Sequence, residues 1–201
     1  RSTLRAVLLQ FQPIDLAFSG RNELKTLVRA EWRGGVPLPQ GDSLLVAFYL
    51  NELLVRLLPR EDAHPRLFDG YEATLKALGS PPDEARDAER ERALRRFEWL
   101  LLQEIGYAPD LARDRDGRPI DEAGHYRIVG GEWLAVDEPP PRASRADVYS
   151  GAALRGIASG RYDGPGVLGQ AKRLSRQVLG EHLDGATLYT RRILLDLHRM
   201  E

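Results

Sequence analysis

The 201-residue chain contains no cysteine, which excludes disulfides and thiolate metal centres and suits a reducing compartment. No apolar run reaches the roughly 20 residues that a membrane-spanning helix needs. No signal peptide is recognisable. Charge of one sign is missing as well: 29 Lys and Arg face 30 Asp and Glu, for a net charge of −1. No global field draws the chain to nucleic acid or membrane, so any electrostatic site must be a local patch. Patterns of covalent chemistry are also lacking. His64, His125, His182 and His198 have no spacing that suggests a metal centre, and no P-loop, H-E-x-x-H, G-x-S-x-G or G-x-G-x-x-G pattern occurs. Asp114, Asp116, Asp121 and Glu122 lack the spacing of a calcium loop and read as solvated turns. Glu52 lies in an apolar run near Phe48 and Val55, where a carboxylate is more often a paired structural group than a catalyst. These features predict a protein that is not an enzyme and needs neither cofactor nor metal. A hydrolase or metal enzyme built on Glu52 or the Asp cluster stands as a rival.

What is present reads as an α+β chain. It opens "RSTLRAVLLQFQPIDLAF" on Arg1 rather than Met and already looks like folded strand, which suggests an N-terminal truncation. Residues 4–33 are expected to form a β hairpin, interrupted at Pro13 and turning at "SGRN". "GGVPLPQGDS" is a breaker-rich linker whose Ser43 could cap the following helix. Leu44 to Leu58 is apolar on nearly every helical face and predicts a central buried helix ended by Pro59. The next helix carries Leu67, Phe68, Tyr71, Leu75 and Leu78 on one stripe, with Gly79 as its stop. A charged connector leads into "ALRRFEWLLLQEIGY" as a third helix. Residues 108–142 turn rich in Gly, Pro and Asp, and Gly130-Gly131 between "HYRIV" and "EWLAV" predicts a hairpin. Three further helices are expected over 151–159, 167–183 and 188–200.

Basic residues mark two candidate patches. In residues 1–33 the cations Arg1, Arg5, Arg21, Lys25, Arg29 and Arg33 outnumber Asp15, Glu23 and Glu31. A positive β surface with Phe11 or Phe18 as a stacking platform suits single-stranded nucleic acid; charged strand edges also serve simply to block aggregation. In "GQAKRLSRQVLGEHL" the stripe Leu168, Ala171, Leu174 and Val178 leaves Lys172, Arg173 and Arg176 projecting away. Lys172 and Arg176, four residues apart, repel unless a phosphate or a neighbouring carboxylate intervenes. Arg191 and Arg192 add to this region.

The third helix raises a sharper question. At about 100° per residue, Leu94, Phe97, Leu101 and Ile105 share a core face. Arg95, Trp99 and Leu102 fall on another flank, and Arg96 belongs to the polar side. An apolar notch edged by Arg95 would suit a peptide ending in a hydrophobic side chain and a carboxylate. Taken from the residues alone, Trp99 and Leu102 more readily pack under another helix while Arg95 snorkels.

Four segments together resemble the bacterial RecO family: "LQFQPIDLAFSGRNELKTLVRAE", "FYLNELLVRLL", "ALRRFEWLLLQEIGY" and "AKRLSRQVLGEHLDGATLYTRR". The resemblance implies a partial OB-fold hairpin over residues 1–35, followed by a mainly α-helical domain over 42–201 with a small β insert at about 108–142. It implies a cytoplasmic, nucleoid-associated recombination mediator that binds single- and double-stranded DNA, anneals strands, and contacts the acidic C-terminal tail of the single-stranded DNA-binding protein SSB. RecR would be a partner, and RecA loading the outcome. Arg95 with Trp99 and Leu102 would hold the tail; Arg1, Arg5, Arg21, Lys25, Arg29, Lys172, Arg173, Arg176 and Arg191 would hold DNA. Some relatives carry a four-cysteine zinc site in the insert, which this chain cannot form. Thr190 stands where the family usually has Ser. An adaptor that has lost DNA binding with part of its OB-fold is the alternative.

Overall fold

The computed structural model describes residues 3–21, 24–81, 83–137, 147–183, 188–190 and 192–193. The N-terminal hairpin forms, but its first strand is shorter than the sequence pattern suggests. Thr3–Ala6 is a 3-10 turn, and the chain becomes strand only after Pro13, as β1 (Ile14–Ser19). It pairs antiparallel with β2 (Thr26–Trp32), with a bulge at Ala17/Phe18. Pro13 has no amide hydrogen to give to a ladder, so the strand begins where pairing can begin. The side chains of Ile14, Leu16, Ala30 and Trp32 share one face, and those of Asp15, Ala17, Arg29 and Glu31 the other. Phe11, held at positive φ, is buried edge-on against Phe48 with ring centroids 5.1 Å apart, which seats the segment before β1 on the first helix.

That helix, α1 (Asp42–Leu57), starts ahead of Ser43. Gly41 takes the N-cap position, so Ser43 lies inside the first turn and does not cap. Its apolar sequence is not sealed all round: Ala47, Leu50 and Leu53 are buried, while Val55 is 84% exposed. In α2 (Pro65–Leu78) the stripe Leu67, Leu75 and Leu78 is buried as its spacing predicts, but Phe68 points to solvent. Gly79 ends this helix with ordinary helical backbone angles. Its need for hydrogen in place of a side chain comes from a close approach, because a Cβ there would sit 2.3 Å from the Pro37 carbonyl oxygen. The linker between hairpin and α1 is thereby laid across the end of α2.

The central helix is α3 (Glu84–Glu104), which absorbs the charged connector as well as the apolar stretch. It contacts α2 and the last described long helix, α5 (Val167–His182). Packing on more than one side explains why Leu94, Phe97 and Leu101 are buried together with the second flank, Trp99 and Leu102. Beyond it, β3 (His125–Val129) and β4 (Glu132–Ala135) form the expected hairpin. Gly130 and Gly131 both adopt positive φ, at 60° and 83°, as a tight turn matched to strand twist requires. A third strand, β5 (Val148–Ser150), pairs with the other edge of β3. It leads directly into α4 (Gly151–Ala158), whose first turn is capped by the Ser150 hydroxyl accepting from the Ala153 amide. Trp133 and Tyr149 pack edge-to-face at 5.5 Å and tie this sheet into the same apolar core as the helices. The helix expected over 188–200 lies mostly outside the described residues; 189–190 and 192–193 are helical. The observed class is α+β, with a β hairpin followed by helices.

Candidate partner-binding groove and nucleic-acid surface

Arg95 does not edge an open notch. Its side chain is 5% exposed and donates from Nη1 to Glu98 Oε2 at 2.7 Å. Trp99 is 6% exposed and Leu102 fully buried. The three residues expected to catch a peptide are therefore core residues, because α3 is covered on the flank that periodicity had left open. Glu98 is the hub of the arrangement. Its other oxygen accepts from the Tyr49 hydroxyl of α1 at 2.8 Å, and Ser175 of α5 adds a further side-chain hydrogen bond. Burial pushes the Glu98 carboxyl up, against the pull of Arg95 and these hydrogen bonds. Burial, with the adjacent Glu98, pushes the Tyr49 hydroxyl well above its ordinary value. A sealed ion pair of this kind is costly to break from one side, since the abandoned charge has nowhere to go. Arg96 sits on the polar side as its position predicts: it is half exposed, 2.7 Å from Glu89, with its guanidinium over the Tyr162 ring. Burial pushes the Tyr162 hydroxyl up to about 12.

A real concavity lies beside Arg95. The 37–41 linker with the start of α1, the end of α2, one side of α3 and Lys172 of α5 enclose a groove of about 1030 Å³. Leu38, Val46, Leu78 and Leu94 give it an apolar lining. Arg90, Arg95 and Lys172 contribute cations to the wall, and Asp42, Asp87 and Glu91 contribute acids. Arg90 reaches Asp87 and the Ser80 carbonyl. Lys172 faces Glu91 across the α3–α5 contact at 3.4 Å. Arg95 Nε is buried and has no acceptor among the described residues. No local sequence pattern marks this groove, because its walls come from four separated segments and the linker is placed by the contact at Gly79.

The candidate DNA cations are scattered. Arg5, Arg21, Lys25 and Arg29 of the N-terminal region are exposed, but Lys25 pairs with Glu61 at 2.5 Å and Arg29 lies 3.7 Å from Glu31. Arg33 pairs with Asp15 at 2.5 Å. Phe18 is 58% exposed and Trp32 55%, whereas the burial of Phe11 removes it as a stacking platform. On α5, Arg176 is exposed and Lys172 is relieved by Glu91. Arg173 does not project away from the core: it donates to the Val148 carbonyl at 3.1 Å and lies over the Tyr149 ring. Arg1 and Arg191 lie outside the described residues.

The two rival acid sites have structural occupations. Glu52 accepts from the Tyr189 amide at 2.8 Å and from the Thr190 amide and hydroxyl at 3.0 and 2.8 Å, and Arg56 stands 3.0 Å away. Burial pushes the Glu52 carboxyl up, but the amides of Thr190 and Tyr189, the Thr190 hydroxyl and Arg56 together hold it below the usual range. Asp114 Oδ1 accepts from the amides of Asp116 and Arg118, which organises a turn. Segments distant in sequence thus meet: "NEL" holds "YT" through Glu52, and "FY" meets "RRFE" through Tyr49 and Glu98.

The sequence profile described as "Recombination protein O C terminal" matches residues 38–192. The DNA repair protein RecO of Polynucleobacter asymbioticus is 43% identical over 203 residues, covering 99% of this chain and 81% of that protein. RecO of an Azoarcus species is 41% identical, with 98% and 79% covered, and RecO of Cupriavidus pinatubonensis 44%, with 98% and 66%. The chain belongs to the RecO family, a family of DNA repair and recombination proteins. No helix among the described residues is long and apolar enough to cross a membrane.

Proposed function

We propose that the chain is a recombination mediator that works by binding. In this reading residues 1–35 are the C-terminal part of an OB-fold and 42–201 a helical domain. The groove takes the acidic C-terminal tail of SSB, while exposed cations hold single- and double-stranded DNA for annealing. RecR joins the assembly and RecA is loaded as the outcome, in the cytoplasm at the nucleoid.

The observation that carries the tail assignment is the groove itself. Leu38, Val46, Leu78 and Leu94 can receive an apolar terminal side chain, and Arg90 and Lys172 can face carboxylates. Trp99 and Leu102 have no part in it. For DNA, Arg5, Arg21, Lys25, Arg29 and Arg176 retain the assignment, Lys172 goes to the groove, and Arg173 supports the fold around β5. Fluorescence anisotropy with an acidic peptide ending in phenylalanine tests the groove. Binding should be strong with a free terminal carboxylate and weak with the amide; equal affinity for both would remove the carboxylate from the mechanism.

The adaptor reading draws support from the close pairing of Lys25 with Glu61 and Arg33 with Asp15, which occupies these cations internally. A DNA titration across salt concentrations separates the two. Phosphate contacts weaken steeply as salt rises, whereas absence of DNA binding at low salt would leave the adaptor.

A further inference from the structure

The three cations of the groove wall differ in how firmly they are held. Arg95 is locked to Glu98, with side chains only 5% and 2% exposed, so a ligand cannot take over that pair without stranding a buried acid. Arg90, 14% exposed, is pinned to the Ser80 carbonyl at the turn between α2 and α3 as well as to Asp87. Lys172 is different. Its ammonium faces Glu91 at 3.4 Å, and the two side chains are 41% and 39% exposed. Water can solvate either partner as they part, so the exchange is inexpensive. The pair also bridges α5 to α3 at the groove wall.

We propose that Lys172 and Glu91 form an exchangeable gate, in which Glu91 occupies Lys172 until a carboxylate of an incoming acidic peptide replaces it. Glu91 then acts as an internal competitor that sets affinity and favours ligands with enough negative charge to displace it. This inference rests on the reading of the groove as the tail site.

The test is a double-mutant cycle on the full chain, read by anisotropy with an acidic synthetic peptide ending in phenylalanine. Glu91→Gln should tighten binding about threefold, and Lys172→Gln should weaken it by a similar factor, the range of exchangeable surface pairs. In the Lys172→Gln background, Glu91→Gln should have no further effect, because the competitor then has nothing to occupy. An equal gain from Glu91→Gln in both backgrounds would make Glu91 a simple repulsive charge and overturn the gate, as would no gain in either. Failure of the wild-type chain to bind the peptide would instead remove the groove reading, and the gate with it. Circular dichroism on each variant confirms that the fold is retained.

Discussion

The interior of α3 and the N-terminal hairpin use arginine in opposite ways. In α3, Arg95 is sealed with Glu98, and the pair joins three helices through Tyr49 and Ser175. On the hairpin, Arg29 is 63% exposed and its nearest acid, Glu31, is 3.7 Å away and 60% exposed. The first arrangement holds structure together and has little charge to offer a partner. The second contributes little to folding and leaves its charge available. Cations that look interchangeable in the sequence divide according to whether their counter-charge is buried.

The contrast is broken most forcefully at Arg95. Arg95→Ala should cost about 3–5 kcal/mol, because Glu98 is left buried without its partner. Chemical denaturation measures this directly, and Arg96→Ala next to it should change stability by less than about 1 kcal/mol. Glu52 gives the next effect. Glu52→Ala releases the amides of Tyr189 and Thr190 and should cost about 1–3 kcal/mol.

The same carboxylate predicts a pH dependence. Its folded pKa lies below the unfolded value, so its contribution is complete above about pH 4.3, where the unfolded carboxylate is ionised. It is lost as pH falls through the folded pKa. Denaturation curves for wild type and Glu52→Gln should therefore converge on acidification; a constant gap would show that the charge of Glu52 has no part in the latch. At the hairpin, Arg21→Gln and Arg29→Gln should each leave stability within about 0.5 kcal/mol of wild type. Each should lower the salt dependence of single-stranded DNA binding by about 0.7 in the log–log slope. Unchanged slopes would place the DNA elsewhere.

Much of the fold was legible because local chemistry decided it. Gly130-Gly131 specified a turn, the stripe Leu67–Leu75–Leu78 a buried helix face, and the apolar end of α3 a core helix. The site was less legible for a physical reason. Periodicity assigns residues to helix faces, but it does not say how many faces the neighbours cover. The spacing puts Arg95, Trp99 and Leu102 on one flank, and α3 is packed on that flank too. The partner of Arg95, Glu98, lies one turn away, and Glu98 is held in turn by Tyr49 on another helix. Phe11 and Arg173 are decided in the same way, since the ring of Phe48 and the carbonyl of Val148 come from distant segments. The groove required the linker's position across Gly79, which no local pattern encodes.

In the proposed reading the tail peptide sits in the groove beside Arg95 rather than on the flank of Trp99 and Leu102. Leu38 lines that groove from the linker and is 52% exposed, so Leu38→Glu can place a charge on its apolar lining without disturbing the core. Peptide anisotropy on this variant, with its thermal melt unchanged, should show binding reduced by tenfold or more, about 1.4 kcal/mol. Affinity equal to wild type would move the tail site to another surface.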